Sequence, residues 1–514
     1  MRILAIQSRS LSSCPRLLWH VCLIACAALV VSQCSVIRSP KTQTPQDYAR
    51  PGVEGVASML TDLLRRAAAL DSATSAAWPG FDLRSHVLIV AHEPEGPTAL
   101  IGDSVPPPPW RAVDARHDVF LLDGPPPDSL AGLRIARTWN GRPRAATAVS
   151  YEGPPTLGTL IHEAFHTHQR RVRVARPQSF QSGATPNYPD TAIQAVALVI
   201  MEARLLANAL AAPTPDRHRE HALAALAVRA YRCRVVGSQE CASERDIERN
   251  EGTATYVAAA VVGTEPGIRI RDSLASASLR LAAFADLTRL GRWHFYDTGV
   301  AWLTLLERLG PATWKAAVEI APPDSVLAAH LGLTSRQADS LWGQSTASPM
   351  WEGARRTAQR LVTTELALRD SVHRAFWEHF GTLVKIYWKM AESISTEWQP
   401  LPGQVVRGFT VTDSVRGEVG YSTGLAESTI RIDDRRNWIK LKGQTASVHG
   451  LNRAFVAITP VAGRSARVGN RVVPLDLPAP AVHGQVAFQL DHIEVMLENA
   501  SLEVFADSVI VRMQ

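Results

Sequence analysis

Apolar residues recur at helical spacing from Val53 to Leu70, interrupted by charged ones. This pattern predicts an amphipathic helix. The period then changes. His86–Ala91 (HVLIVA), Val119–Leu122 (VFLL) and Ala145–Tyr151 (AATAVSY) are short apolar runs divided by loops that include Pro106–Pro109 and Pro125–Pro127, and they read as strands. Asn140-Gly141 carries the residues of a hairpin turn before the third run. From Thr156 to about residue 395 helical spacing returns, with helices predicted over 156–172, 191–211, 216–235, 244–261, 272–290, 296–309 and 350–393. Pro213, Pro215, Gly263–Gly267, Gly310-Pro311 and Pro322-Pro323 mark the breaks. Beyond Pro400, short runs of Val, Ile, Phe and Leu alternate with polar residues, as in Phe455–Ile458 and Leu502–Val511. They predict a separate all-β unit of roughly 110 residues. The fold class expected is α+β, a mainly helical domain with a small N-terminal sheet followed by a C-terminal β domain.

The start of the chain has a different character. Arg2, Arg9 and Arg16 precede an apolar run from Leu17 to Val31, and a polar, turn-prone segment follows. These are the parts of an export signal. The run is short for a membrane span, which needs about 20 apolar residues. Leu23-Ile24-Ala25-Cys26 resembles a bacterial lipoprotein cleavage box, and Cys34 sits at the end of the apolar run. Lipidation at Cys26 or Cys34, soluble secretion and an uncleaved anchor all remain open. Each puts the working part outside the cytoplasm, with any membrane association made through the N-terminus. The expected division is 1–37 signal, 38–80 linker and first helix, 81–395 catalytic domain and 400–514 β domain.

Composition adds limits. A chain of 514 residues exceeds one ordinary core, and 46% apolar against 20% charged residues is globular. A net charge of +6, with arginines scattered, gives no ground for a nucleic-acid partner. Four of the six cysteines lie near the N-terminus. Cys233 and Cys241 flank a loop-like RVVGSQE, and the spacing leaves open whether they pair.

The chemistry concentrates in Leu160-Ile161-His162-Glu163-Ala164-Phe165-His166-Thr167-His168. On a helix, His162 and His166 share a face and can hold one Zn2+. Glu163 can take a proton from water activated there. His168 is about 200° from His166 around the helix, so it cannot face the same ion. Gln169 and Val172 stand where a longer metzincin motif needs Gly and His. A third ligand must come from elsewhere.

Two glutamates compete for that role. Glu251 lies in Arg249-Asn250-Glu251-Gly252-Thr253-Ala254-Thr255-Tyr256. This segment resembles the third-ligand helix of gluzincins, which in zinc aminopeptidases carries an Asn-Glu-Gly-x-x-x-Tyr-like stretch. The resemblance covers residues 80–310 and implies a zincin-like catalytic domain of the peptidase MA type, with Glu251 as ligand. The 85 positions from His166 to Glu251 exceed the aminopeptidase spacing, and the Gly-rich recognition motif of those enzymes is not found. Glu202 is the rival, an acid inside the apolar run Ala195–Leu210. Buried there it needs a partner, whether zinc, a ligand imidazole or Arg204.

A hydrolase of this kind also needs a donor for the oxyanion. Tyr256, Tyr296 and His294 are candidates, and Tyr296 is the expected one, since gluzincins often supply this donor from a later helix. The reading is an extracytoplasmic zinc metallopeptidase acting on protein or peptide. A non-catalytic binding protein on the same scaffold, or a hydrolase of a non-peptide amide, stays open. Substrate specificity and oligomeric state are not legible.

Overall fold

The computed structural model describes residues 53–92, 97–102, 109–114, 119–124, 135–136, 145–151, 156–174, 190–264, 287, 290, 293–378, 382–387, 394–400, 407–413, 417–423, 425–432, 437–442, 445–449, 454–459, 461–491 and 493–513. The expected export signal with Cys26 and Cys34, the expected Asn140-Gly141 turn and nearly all of the helix expected at 272–290 lie outside them.

The chain is mixed α+β, with helices and two mixed sheets. Among the described residues, helices α1 (Val53–Ala69) and α2 (Asp71–Ala77) come first. Six strands follow: β1 (His86–His92), β2 (Thr98–Ile101), β3 (Arg111–Asp114), β4 (Val119–Leu122), β5 (Ile135–Ala136) and β6 (Ala145–Tyr151). They form one sheet in the order β3-β4-β2-β1-β6-β5. Strand β6 runs parallel to β1, and the other pairs are antiparallel. Alternate residues of β1 face opposite sides, as the pleat requires. Leu88 and Val90 join the main core, and Val87 and Ile89 pack with Leu100, Phe120 and Trp110. The α1 stripe of Val56, Leu60, Leu63, Leu64 and Ala67 is buried in that main core. The stretch expected to be linker and first helix therefore contributes to the same core as the sheet, with Trp78 and Phe81 edge-on to Phe165.

Among the described residues, eleven further helical elements follow β6, ten of them before the long last one. The ten are α3 (Leu157–Val174), α4 (Ile193–Ala211), α5 (Pro215–Val236), α6 (Ser238–Ile247), a π turn (Glu248–Gly252), α7 (Thr253–Val262), α8 (Trp293–Leu309), α9 (Trp314–Val318), α10 (Pro323–Leu331) and α11 (Ser335–Thr346). The long α12 (Pro349–Trp377) follows them. Helix α4 is long and apolar enough to cross a membrane, yet most of it is buried within the protein. Being apolar on every side, it is a central core helix.

Helix α12 ends at Trp377, not near residue 393 as the spacing suggests. Strand β7 (Thr382–Tyr387) follows and already belongs to the second sheet, as does β8 (Ile394–Pro400). The second sheet thus begins before residue 400. The run LVKIYW fits helix and strand periods equally over so short a length. Burial of Val384 and Ile386 against the sheet decides it. The remaining strands are β9 (Arg407–Asp413), β10 (Gly417–Thr423), β11 (Leu425–Ile432), β12 (Asn437–Lys442), β13 (Thr445–His449), β14 (Ala454–Thr459), β15 (Ser465–Val468), β16 (Arg471–Pro474), β17 (Ala479–Gln489), β18 (Ile493–Val504) and β19 (Ser508–Met513). Strand β7 lies between β19, to which it is parallel, and β14.

Candidate metal centre

Helix α3 starts where Thr156 accepts a hydrogen bond from the Thr159 backbone N–H at 3.2 Å, in the manner of a helix cap. Its apolar face, Leu157, Leu160, Ile161, Ala164 and Phe165, enters the core. Thr167 bonds the Thr147 hydroxyl of β6 at 2.5 Å and fixes the helix to the sheet. His162, Glu163 and His166 are left half-buried on the remaining flank.

The two histidine rings meet nearly at right angles, their Nε2 atoms 3.0 Å apart. Glu251 arrives from the π turn. Its Oε2 lies 3.2 Å from His162 Nε2 and 3.0 Å from His166 Nε2. Side-chain exposures of 15%, 12% and 13% leave the cluster partly open to solvent. These three residues form a cluster able to hold a metal ion, and it is the one such cluster found among the described residues. Burial would raise the Glu251 carboxyl, but the two ring edges and the Tyr296 hydroxyl beside it hold it well below the usual carboxylate range. It is therefore ionised, the state in which a carboxylate can bind a metal.

The outer ring nitrogens are engaged as well. His166 Nδ1 lies 2.8 Å from Gln169 Oε1, and His162 Nδ1 lies 3.4 Å from the Thr255 hydroxyl. Each Nδ1–H can donate outward, which turns an Nε2 lone pair inward. In that tautomer three electron-rich atoms share a small space and are held together only by a cation; without one, a ring N–H turns inward to Glu251. Tetrahedral zinc, with ligands at about 2.0–2.1 Å, spaces its ligand atoms about 3.3 Å apart. The observed triangle is a few tenths of an ångström tighter, so the donor set fits zinc.

Tyr296, near the start of α8, joins the site with its ring parallel to that of His162 at 6.1 Å. Two glycines make this approach possible. A Cβ on Gly299 would lie 2.8 Å from the Glu248 carbonyl oxygen, and one on Gly252 would lie 2.7 Å from Gly299 Cα. Only bare backbones let α8 lie against the π turn. Gly299→Ala should therefore force these elements apart, lowering stability by about 1–3 kcal/mol as overpacking does. A lower urea midpoint together with weaker zinc binding would show it. The other two donor candidates stand differently. Tyr256 is buried and donates to Glu307 at 2.6 Å, so its hydroxyl is already committed. His294 is buried next to Phe295.

Glu202 is not at the centre. It accepts from Arg229 at 2.6 Å and from Arg232 at 2.9 Å, fully buried. Burial would raise its pKa, but the two guanidiniums reverse this and hold it at about 2. It orients no ligand histidine, and Arg204 is not its partner, since Arg204 donates to Thr357 of α12. The same arginines bond Glu248 and Glu244, and Thr298 donates to Glu248. Glu248 opens the π turn, so this network anchors the segment that presents Glu251. A disulfide, Cys233–Cys241, with Cα atoms 5.2 Å apart, joins α5 to α6 beside it.

Breaking such a network leaves charges buried without partners. Arg229→Met should cost about 3–5 kcal/mol, read from chemical denaturation. Its pH signature has two signs. The lowered Glu202 contributes stability above about 4.5, which is lost as pH falls toward about 2. Glu244 and Glu248 are raised, by burial first, so their contribution is present at low pH and is lost as pH rises.

His168 points away from the centre, as its helical position requires. It is buried among Phe81 and Phe165, and neither ring nitrogen has a hydrogen-bond partner among the described residues. Burial, with Arg171 and His86 nearby, pushes its pKa down to about 4, so it is neutral at neutral pH. Gln169, Thr255 and the Arg229–Arg232 pair escape the sequence reading. The i, i+3 spacing of His166 and Gln169 was the available signal, since such residues are neighbours on a helix.

Comparison with protein-family models, curated proteins and solved structures finds no match to this chain.

Proposed function

We propose that the chain is a zinc metallopeptidase of gluzincin type, working outside the cytoplasm. The observation that carries this is the convergence of His162 Nε2, His166 Nε2 and Glu251 Oε2 within 3.2 Å, with both Nδ1 atoms engaged elsewhere. Zinc held there would supply Lewis acidity toward a carbonyl oxygen and toward water. Glu163 follows His162 on α3, where its carboxylate takes a proton from the attacking water and returns it to the leaving amine nitrogen. The Tyr296 hydroxyl, which bonds Glu251, would be released when that carboxylate holds zinc and could then donate to the oxygen that gains charge as the carbonyl becomes tetrahedral. The disulfide supports an oxidising compartment, in agreement with the export signal.

The test is direct. Purified protein stripped of metal should take up one equivalent of zinc, and the zinc form should cleave an unstructured protein such as casein. Uptake without cleavage of casein, but with release of amine from a cell-wall amide, would move the substrate class. No uptake would remove the proposal.

A further inference from the structure

We propose that Gln169 is the positioning residue of the metal centre, one amide that both selects the metal-ready form of His166 and latches Glu251 to the motif helix. The inference rests on the zinc reading above. Gln169 is 2% exposed, and both ends of its amide are used. Its Nε2 faces the backbone carbonyl of Asn250 at 3.0 Å and that of Arg249 at 3.5 Å. Carbonyls only accept, so the amide nitrogen must lie on that side. Its Oε1 is thereby turned to His166 Nδ1, 2.8 Å away. An amide oxygen cannot donate, so the ring must: a proton sits on His166 Nδ1, and in the neutral ring Nε2 is the bare nitrogen that a metal can take. The backbone of the π turn thus dictates, through Gln169, which nitrogen of a ligand on another helix is open.

The same contact has a mechanical side. Asn250 immediately precedes Glu251, and the two ligand-bearing segments come from distant parts of the sequence. Gln169 ties α3 to the π turn at the residue before the third ligand. The Arg229 network holds the turn from its other end, through Glu248. Glu251 therefore lies between two fixed points, and only one of them touches the motif helix through a ligand's own partner.

The experiment compares wild type, Gln169→Met, Gln169→Glu and Thr167→Val. Zinc affinity is measured by competition with a chromophoric chelator. The protonated nitrogen of His166 is read from 15N-histidine spectra of the metal-free protein. Methionine keeps the volume and removes both bonds. Glutamate keeps an acceptor for His166 but turns an oxygen toward the two carbonyls. Thr167→Val removes a buried hydroxyl bond on another side of the same helix and reports simple loosening of α3.

Both Gln169 variants should lose zinc affinity by about 10–100-fold, the usual cost of removing an outer partner of a metal ligand. His166 should keep its Nδ1 proton in the Glu variant and lose that preference in the Met variant. Thr167→Val should melt earlier yet bind zinc within threefold of wild type. The assignment is overturned if Gln169→Met binds zinc like wild type, if His166 keeps its Nδ1 proton in that variant, or if Thr167→Val loses as much affinity. Wild type without zinc uptake would overturn the metal reading with it, an outcome separate from the other three.

Discussion

Glu251→Gln is expected to strip the protein of zinc under conditions in which the wild type retains it. The amide has nearly the same shape, so the fold should survive, but the ionised oxygen 3.0 Å from His166 Nε2 is gone. A neutral amide is a much weaker partner for a divalent cation. The loss should exceed the roughly 10–100-fold that follows removal of an outer partner. Chelator competition and metal content after dialysis would both report it. Glu202→Gln gives the opposite pairing of effects. Its carboxylate meets two arginines in the core, so that variant should unfold more easily and bind zinc almost unchanged. Should Glu202→Gln lose the metal while Glu251→Gln keeps it, the centre has been assigned to the wrong acid.

Glu163→Gln should separate binding from chemistry. The residue is not one of the three that converge, and it sits half-buried beside His162 on α3. Glutamine cannot accept and return the proton, and general acid–base groups typically contribute about 10²–10⁴-fold to rate. The expected result is wild-type zinc content and kcat lower by that factor. Tyr296→Phe tests a neighbouring role with a smaller expected loss, because a transition-state donor is removed and the proton carrier is kept. Unchanged kcat in Glu163→Gln would mean that this carboxylate is not the base.

The parts of the site that could be read from the chain alone are those written in short range. His162, Glu163 and His166 lie within five consecutive residues of one helix, and periodicity alone puts the two imidazoles on one side. Glu251 was reachable because it carries its own local signature in Asn250-Glu251-Gly252. Tyr296 follows from the family resemblance, and its ring lies parallel to that of His162. The supports were not legible, because each is a pairing between distant segments. Glu202 meets Arg229 and Arg232, 27 and 30 residues away, and nothing at position 202 names them. Gln169 stands out in the sequence only as a residue that fails a longer motif, and its partners lie 80 and 81 residues on. The two α3 histidines that share a tract also diverge by environment. His166 faces the cluster, and His168 is sealed among aromatic rings. The α12–β7 boundary failed for another reason, since a run of six residues has too few turns for its period to be told.

The placement of β7 bears on how the interior of the second sheet is held closed. Its parallel neighbour β19 sets Ser508 opposite Leu383. Strand β19 also pairs with β18 on its other side. A strand far along the chain from β7 is thus an interior strand of the sheet, not an edge. Were it displaced, β7 and β18 would each present an unpaired row of backbone donors and acceptors, the kind of edge that recruits other chains. Destabilising substitutions in β19 would therefore promote association between copies while leaving every residue of the candidate site in place.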